Sequence, residues 1–453
     1  MLAAMDIAEL IAKYDAPVPR YTSYPTAPHF SGDVGVATYG AWLRTLPDAA
    51  VSLYLHVPFC AQLCWFCGCH TTATRSIAAL DAYADLLLQE IDLVAAAIGR
   101  RIAVSHVHWG GGTPTALPPA RLIEIMQRLR ARFAVRPDAE IAVEIDPRTA
   151  DAAALDALEA MGCTRASLGV QDFNEKVQAA VNRRQSFETT RACARGLRAR
   201  GIAALNLDLI YGLPFQTEAS VIATAMQAMD IDPDRIAVFG YAHVPWMKRH
   251  QTLLPAEHLP DAAQRWRQRQ AIEQVITARG WHAIGLDHYA RPGDGLATAA
   301  AGKTMRRNFQ GYTTDAAPAL LGLGASSIGA LPQGYVQNAA AVPDYRALVR
   351  AGTLPTRRGI ALTDEDRLRR DVIEQIMCHG RVDLDATAAR HGADPAPLHR
   401  AAPALEGLAQ DGLVAWDGRV VSVPEAARPF LRTVAATFDL YLRPQAARHA
   451  SAV

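Results

Sequence analysis

The segment CAQLCWFCGCH covers residues 60–70 and places Cys60, Cys64, Cys67 and Cys69 within ten positions. The whole chain has seven cysteines in 453 residues, so more than half of its thiols sit in this one window. Thiols packed this densely hold metal or do redox chemistry. Structural zinc usually takes its ligands as two separated pairs. Here the spacing is C-x3-C-x2-C-x-C with no second pair nearby, and one loop rarely wraps a tetrahedron when two ligands are a single residue apart. A redox-active disulfide is a further alternative. An iron–sulfur cluster suits the spacing better. Cys60, Cys64 and Cys67 would hold three irons of a [4Fe-4S] cube and leave the fourth open, whereas such clusters usually carry four cysteine ligands.

An open iron can accept a small chelate, and the amino and carboxylate groups of S-adenosylmethionine form a suitable one. An electron from the cluster then breaks a sulfonium C–S bond, so the difficult chemistry belongs to the cofactors and the protein positions them. A second element fits this reading. VSHVHW runs into GGGTPT (110–115), where glycines let backbone approach a ligand closely.

Positioning such a site needs a scaffold. VSLYLHVP (51–58) is a short apolar run that ends at the cysteines. VSHVHWGG (104–111), EIAVEID (140–146), TRASLGVQ (164–171), LNLDLIYG (205–212), RIAVFGYA (235–242) and WHAIGLDHYA (281–290) continue the series. Helical patterns lie between them, at 76–99, 121–133, 152–162 and near 186–200, 217–229 and 260–279. Alternating strands and helices predict an α/β fold, a partial or complete (β/α) barrel with functional residues at the strand C-termini. Residues 1–50 read as a short helix and an extended arm, PVPRYTSYPTAPHF, and 51–355 as the catalytic barrel. Residues 356–453 read as a small, mainly helical domain, with Thr363 and Glu365 at a helix start and a hairpin around Asp417-Gly418.

Composition sets outer bounds. Half of the residues are hydrophobic and a fifth are charged, as in ordinary globular chains. The formal net charge of +1 gives no global field for nucleic acid or a membrane surface, so an acidic ligand must be held by local basic groups. No apolar run is long enough to span a bilayer, and the N-terminus does not resemble a signal peptide. A reducing cytoplasm is the expected location.

The C-x3-C-x2-C motif with Phe66 before its third cysteine resembles the radical S-adenosylmethionine superfamily. The resemblance extends along the chain through YDAPVPRYTSYPT (14–26), HVPFCAQLCWFCGCH (56–70), HWGGGTPT (108–115), EIDPR (144–148), LGVQDFNEKVQ (168–178), LDLIYGLPFQT (207–217), HYARP (288–292), RNFQGYTT (307–314) and GASSIGA (324–330). In that order the segments resemble the oxygen-independent coproporphyrinogen III oxidase (coproporphyrinogen III dehydrogenase) family.

The resemblance implies oxidative decarboxylation of two propionates of coproporphyrinogen III to vinyl groups, giving protoporphyrinogen IX in haem biosynthesis. The agent is a 5′-deoxyadenosyl radical. It also implies two bound S-adenosylmethionine molecules and an unidentified electron donor. Cys60, Cys64 and Cys67 match the cluster ligands, and Cys69 matches a cysteine that is required without being a ligand. Tyr54, Gly111, Glu144, Ala242 and Ile328 match contacts to the first S-adenosylmethionine. Phe66, Gly112, Thr113, Gln171, Arg183 and Asp208 match contacts to the second. Phe309 and Gln310 fall in a segment near the reacting centre. Trp65, His70 and Gly240 depart from the family, which frequently has Tyr, Asn and Asn there. A monomer is expected.

A related haem chaperone keeps the three-cysteine cluster without decarboxylating. Cys69 and the N-terminal arm favour the oxidase. The other rival is a zinc or iron–sulfur scaffold without catalysis, which would leave Glu144, Gln171 and Asp208 as coincidences. The four propionates of the implied substrate require cations, for which Arg20, Lys303, Arg306 and Arg307 are candidates.

Overall fold

The computed structural model describes residues 7–442. The first residues of the expected N-terminal helix lie outside that range, and the helix is described over Ile7–Tyr14 (α1).

Twelve strands form one sheet. In chain order they are β1 (Val51–Val57), β2 (Ala103–Gly111), β3 (Ala134–Ile145), β4 (Arg165–Gln171), β5 (Ala204–Tyr211), β6 (Arg235–Gly240), β7 (His282–Ile284), β8 (His288–Ala290), β9 (Leu320–Leu323), β10 (Ile328–Leu331), β11 (Gly334–Asn338) and β12 (Thr356–Ala361). The spatial order is β12-β11-β10-β9-β1-β2-β3-β4-β5-β6-β8-β7. Neighbours from β9 through β6 are all parallel. The sheet stays open, with β12 and β7 at its edges, so the barrel is partial.

WHAIGLDHYA is not a further parallel strand. It folds into the short antiparallel pair β7–β8, and β8 runs antiparallel to β6. Its length explains this. Gly285, at φ +57, breaks the run after three residues, and no crossover helix separates it from β8.

Helices α2 (Ile77–Ile98), α3 (Pro119–Arg132), α4 (Ala152–Ala160), α5 (Phe187–Ala199) and α6 (Glu218–Asp230) connect the parallel strands, and α7 (Ala262–Ala278) leads from β6 to the antiparallel pair. Ser76, Asp151, Ser186, Thr217 and Asp261 cap their N-termini through side-chain oxygens. Period-two alternation then sorts each strand. In β5, Leu205, Leu207 and Leu209 are buried against helices, while Asn206 and Asp208 face the interior. In β4, Ala166, Leu168 and Val170 are buried, and Ser167, Gly169 and Gln171 line the functional side. The main core is the apolar layer between these strands and their helices.

A second core belongs to the C-terminal part. It joins helix α8 (Asp364–His379) and the segments after it to Leu10 and Ile11 of α1, Tyr21 and Tyr24 of the arm, and Trp266 of α7. Thr363 caps α8, with Asp366 rather than Glu365 completing the reciprocal box. The expected hairpin forms between Ala415–Trp416 and Val420–Ser422. β12 belongs to the main sheet, so the chain leaves that sheet at Ala361 rather than at 355. The arm spans both parts. Tyr21 donates to Asp439 (3.0 Å), and Ser31 exchanges two backbone bonds with Gly359 of β12 (2.8 Å each). No described helix is long and apolar enough to cross a membrane.

Candidate active site

The cysteine loop leaves β1 and is closed at its neck by a two-residue parallel pairing of Phe59–Cys60 with Thr72–Ala73. Its far side is tied to the turn before Arg183. Trp65 N donates to Val181 O (3.0 Å), Asn182 Nδ2 to Leu63 O (2.9 Å) and Gln62 Nε2 to Asn182 Oδ1 (2.7 Å). The loop opens onto a cavity of about 190 Å³. Cys60, Cys64, Cys67 and Cys69 reach this space together, with Phe66, Gly111, Gly112 and Thr113. Glu144, Gln171, Arg183 and Asp208 form its remaining wall.

The sulfurs of Cys60, Cys64 and Cys67 meet hydrogen-bond donors. Thr71 Oγ1 donates to Cys60 Sγ (3.4 Å), and Thr113 Oγ1 lies 3.4 Å from the same atom. Arg148 Nη2 and Arg183 Nη1 both point at Cys64 Sγ (3.5 Å). The Cys69 side chain, by hydrogen bonding to Cys67, draws the Cys67 thiol down to about 7, and the same bond pushes Cys69 well up. Burial pushes Cys60 up, partly offset by the two threonines. Donors around sulfur favour the thiolate, the form that binds metal. Arg183 is buried, holds Gly169 O (2.6 Å), and leaves its Nε without a protein partner. Three convergent thiols, cationic neighbours and an unsatisfied guanidinium N–H fit a polynuclear iron–sulfur group beside an anionic ligand group.

The glycine run has a steric reason at each position. A Cβ on Gly110 would lie 2.5 Å from Glu144 Oε1, and one on Gly111 2.5 Å from the His56 ring. On Gly112 it would lie 2.6 Å from the Phe59 carbonyl oxygen, which cannot move aside. This packing lets Gly111 N–H donate to Glu144 Oε2 (3.2 Å), while Glu144 Oε1 meets His108 Nε2 at 3.2 Å. His56 bridges the His70 carbonyl and the Tyr54 hydroxyl (3.0 Å each), an arrangement met by the neutral ring, and burial lowers its pKa.

Asp208 stands in the middle of β5 rather than at its end. It accepts from Ser167 Oγ (2.9 Å) and Asn206 Nδ2 (2.8 Å), and burial raises it to about 6. Gln171 adopts φ +72, an uncommon left-handed conformation for a non-glycine residue, at the strand end. Glu144, Ser167 and Asp208 also line a second chamber, which includes Gln310.

Other expected residues lie outside the cysteine cavity. Tyr54 stacks on His108 at 5.8 Å between ring centroids. Ala242 lines a separate cavity beyond β6. Phe309 and Ile328 pack in a small apolar cluster with Phe30 and Tyr335. Arg20 and Arg307 share the cavity with Ala242. Lys303 and Arg306 do not. They face a groove on the far side of the 306–313 hairpin, where Arg306 pairs with Glu374 (2.9 Å).

Several supporting residues carry no motif. The segment 244–251 crosses the cysteine loop as a strap. Gln251 Nε2 donates to Phe66 O (3.1 Å) and Ala242 O (3.2 Å), Lys248 Nζ donates to Cys69 O (2.8 Å), and His250 Nε2 lies 2.7 Å from Cys67 O. Asp146 sets Arg148 toward Cys64 through bonds of 2.6 and 2.9 Å. Burial acts to raise Asp146, but Arg148 and Arg183 outweigh it and hold the carboxylate below its usual range. EIDPR was visible as a segment, but nothing in it distinguished Arg148 as the group that meets a sulfur.

Comparison with known proteins defines the class first. The radical SAM superfamily profile matches residues 54–228, and the HemN C-terminal domain profile matches 362–430. The particular family follows from full-length relatives. The oxygen-independent coproporphyrinogen III oxidase of Bradyrhizobium diazoefficiens is 51% identical over 448 residues, covering 98% of this chain and 100% of the relative. That of Paracoccus denitrificans is 44% identical over 434 residues, covering 96% of each. The solved structure of coproporphyrinogen III oxidase (HemN) from Escherichia coli, described as a radical SAM enzyme, superposes with a TM-score of 0.90. It is 39% identical, and the match covers 98% of this chain and 100% of that one. The chain belongs to the oxygen-independent coproporphyrinogen III oxidase family.

Proposed function

We propose that this protein is an oxidoreductase of porphyrin biosynthesis. It converts two propionate side chains of coproporphyrinogen III to vinyl groups, giving protoporphyrinogen IX without oxygen. The observation that carries the reading is the full-length 51% identity to a coproporphyrinogen III oxidase, together with three thiols of one loop converging on the cavity at the strand C-termini. Each converted propionate loses one β-hydrogen atom, one electron and carbon dioxide. When bound, the [4Fe-4S] cluster and S-adenosylmethionine supply the 5′-deoxyadenosyl radical that takes the hydrogen.

The chain's own residues hold and orient. Cys60, Cys64 and Cys67 are the proposed ligands, leaving one corner for the amino acid part of S-adenosylmethionine. Glu144, fixed by Gly111 N–H, offers a carboxylate to an ammonium group. Arg183, aimed into the cavity, offers a guanidinium to a carboxylate. Asp208 and Gln171 offer acceptors to ribose hydroxyls. Tyr54, Ala242 and Ile328 complete a first S-adenosylmethionine site. Phe66, Gly112 and Thr113 complete a second, so two molecules are bound. Cys69 is required without being a ligand, and Phe309 and Gln310 approach the reacting centre. The protein works in the cytoplasm as a monomer and takes electrons from a separate donor. Its parts are the arm, the catalytic sheet through Ala361 and the C-terminal domain.

The test is anaerobic incubation of the reconstituted protein with coproporphyrinogen III, S-adenosylmethionine and a reductant. Protoporphyrinogen IX and 5′-deoxyadenosine are the expected products. Tight stoichiometric haem binding without either product would replace this reading with the haem chaperone.

A further inference from the structure

Outside the cysteine site, one cavity gathers cations without matching anions. It measures about 80 Å³ and lies where the end of β6, helix α7, the arm and the C-terminal part meet. Arg20, Arg265, Arg269, Arg307 and Arg432 line it, against the single carboxylate of Asp287. That carboxylate is engaged with His288 (2.7 Å). Burial acts to raise it, but His288, Arg307 and Arg20 outweigh burial and hold it below its usual range, so its one charge is shared among these cations. Arg269 pairs with Glu273 (3.2 Å), and Arg432 donates to the carbonyls of Val18 and Pro19. Arg269 Nη2, although ion-paired, is buried without a hydrogen-bond partner, and Arg265 and Arg307 have no carboxylate of a described residue within ion-pair distance. Arg265 Nε is buried without a hydrogen-bond partner, and so are Nε and Nη1 of Arg307. A guanidinium keeps its charge at physiological pH, and burying its N–H groups without acceptors is costly. The surroundings sharpen the cost. Burial, with Arg20 and Arg307 nearby, depresses Arg432 to about 10.

The geometry gives the cavity an orientation. Arg20 enters from the arm and donates to Gly240 O (3.2 Å), while Arg307 Nη2 donates to Arg20 O (3.2 Å). Gly240 keeps the wall thin. A Cβ there would sit 2.9 Å from Tyr211 Oη and 3.3 Å from Arg265 Nη2. The cavity also touches Ala242, whose carbonyl is joined through Gln251 to Phe66 of the cysteine loop. A group bound here is therefore one strand end away from the cysteine site. The space suits a carboxylate and its first methylenes, not a macrocycle.

We propose that Arg265 and Arg307 form a carboxylate-binding subsite that anchors one unreacted propionate of the porphyrinogen, with Arg20 closing it from the arm. Arg307 lies over the Tyr312 ring, 4.3 Å from its centroid, which fixes the plane of its guanidinium, and two guanidinium groups lining one small cavity are suited to two-point recognition of a carboxylate. This rests on the function proposed above and makes Arg265, which no motif marked, a determinant of substrate binding.

The test is equilibrium binding of coproporphyrin III, the stable oxidised form of the substrate, to anaerobic cluster-loaded protein, read by porphyrin fluorescence. Arg265→Gln is expected to weaken binding about tenfold or more, as for loss of a charge-assisted hydrogen bond. Arg265→Lys, which restores the charge but not the fork, recovers part of it. Iron content stays unchanged, and the melting temperature of Arg265→Gln is equal to or above that of the wild type, because a buried N–H without an acceptor has been removed from a half-buried side chain. Arg265→Gln binding within twofold of a wild type that does bind and turn over substrate would overturn the subsite alone. So would weaker binding accompanied by lost iron and a lower melting temperature that Arg265→Lys does not rescue. A wild type that neither binds coproporphyrin III nor forms protoporphyrinogen would overturn the function as well.

Discussion

Gln251 offers a direct test of whether the 244–251 strap holds the cysteine loop in place. The side chain is only 1% exposed. Its Nε2 serves the carbonyls of Phe66 and Ala242, and its Oε1 accepts from Val244 N–H (2.6 Å). Gln251→Leu preserves most of the volume and removes all three bonds. At about 0.5–1.5 kcal/mol net for each bond, and more where a buried backbone group is left unpaired, the expected loss is about 2–4 kcal/mol. The effect on the site follows from position. Phe66 immediately precedes Cys67, so freeing its carbonyl loosens the segment that carries two of the three proposed ligands. Iron and sulfide per chain, measured after anaerobic reconstitution and again after challenge with a chelator, should show faster loss in the variant. Urea unfolding should show a lower midpoint. A Gln251→Leu protein with wild-type iron retention and a stability change under about 0.5 kcal/mol would refute the reasoning.

Other outcomes follow from the same structure. Gly112→Ala forces a methyl group against Phe59 backbone atoms and should cost about 1–3 kcal/mol, with loss of S-adenosylmethionine binding by equilibrium dialysis; unchanged binding would contradict the packing. Cys69→Ser should retain iron and lose turnover, whereas serine at Cys60, Cys64 or Cys67 should lose both. Glu90 is buried on α2 and accepts from Gly324 N, Asn338 Nδ2 and Tyr345 Oη (2.6 Å each). Burial raises it to about 7 from the ordinary 4.5, so the folded state binds its proton more tightly than the unfolded chain does. Its contribution to stability is therefore full below about pH 4.5 and is lost as pH rises toward 7, by about 3 kcal/mol in all. The stability gap between wild type and Glu90→Gln, followed by denaturant titration from pH 5 to pH 8, should shift in that direction; a gap independent of pH would rule it out.

Much of the site could be read from local pattern. Period-two alternation in LNLDLIYG places Asp208 on the face opposite the leucines, and TRASLGVQ does the same for Ser167 and Gln171. The glycines of HWGGGTPT announce close approach, and the structure supplies the atoms they avoid. Long-range returns of the chain left no such trace. The strap VPWMKRHQ has neither periodicity nor a motif, because its function is to present side chains to a loop some 180 positions earlier. Arg265 sits on an ordinary helix, and only the docking of the arm and C-terminal part turns it toward a cavity. The same limit explains Lys303 and Arg306. Both lie near Arg307 in sequence, but strand alternation sends Arg306 to the face opposite Arg307, and Lys303 lies in the turn before the strand begins.

An unclosed sheet presents main-chain donors and acceptors along its rims, a template on which another copy could add a strand. At β12 that template is interrupted by Ser31, whose backbone occupies both hydrogen-bonding groups of Gly359. The polypeptide that carries Arg20 to the cation-lined cavity thus also shields a rim from self-association. Deleting it would remove two functions at once, and precipitation of such a truncated chain would not by itself report on substrate recognition.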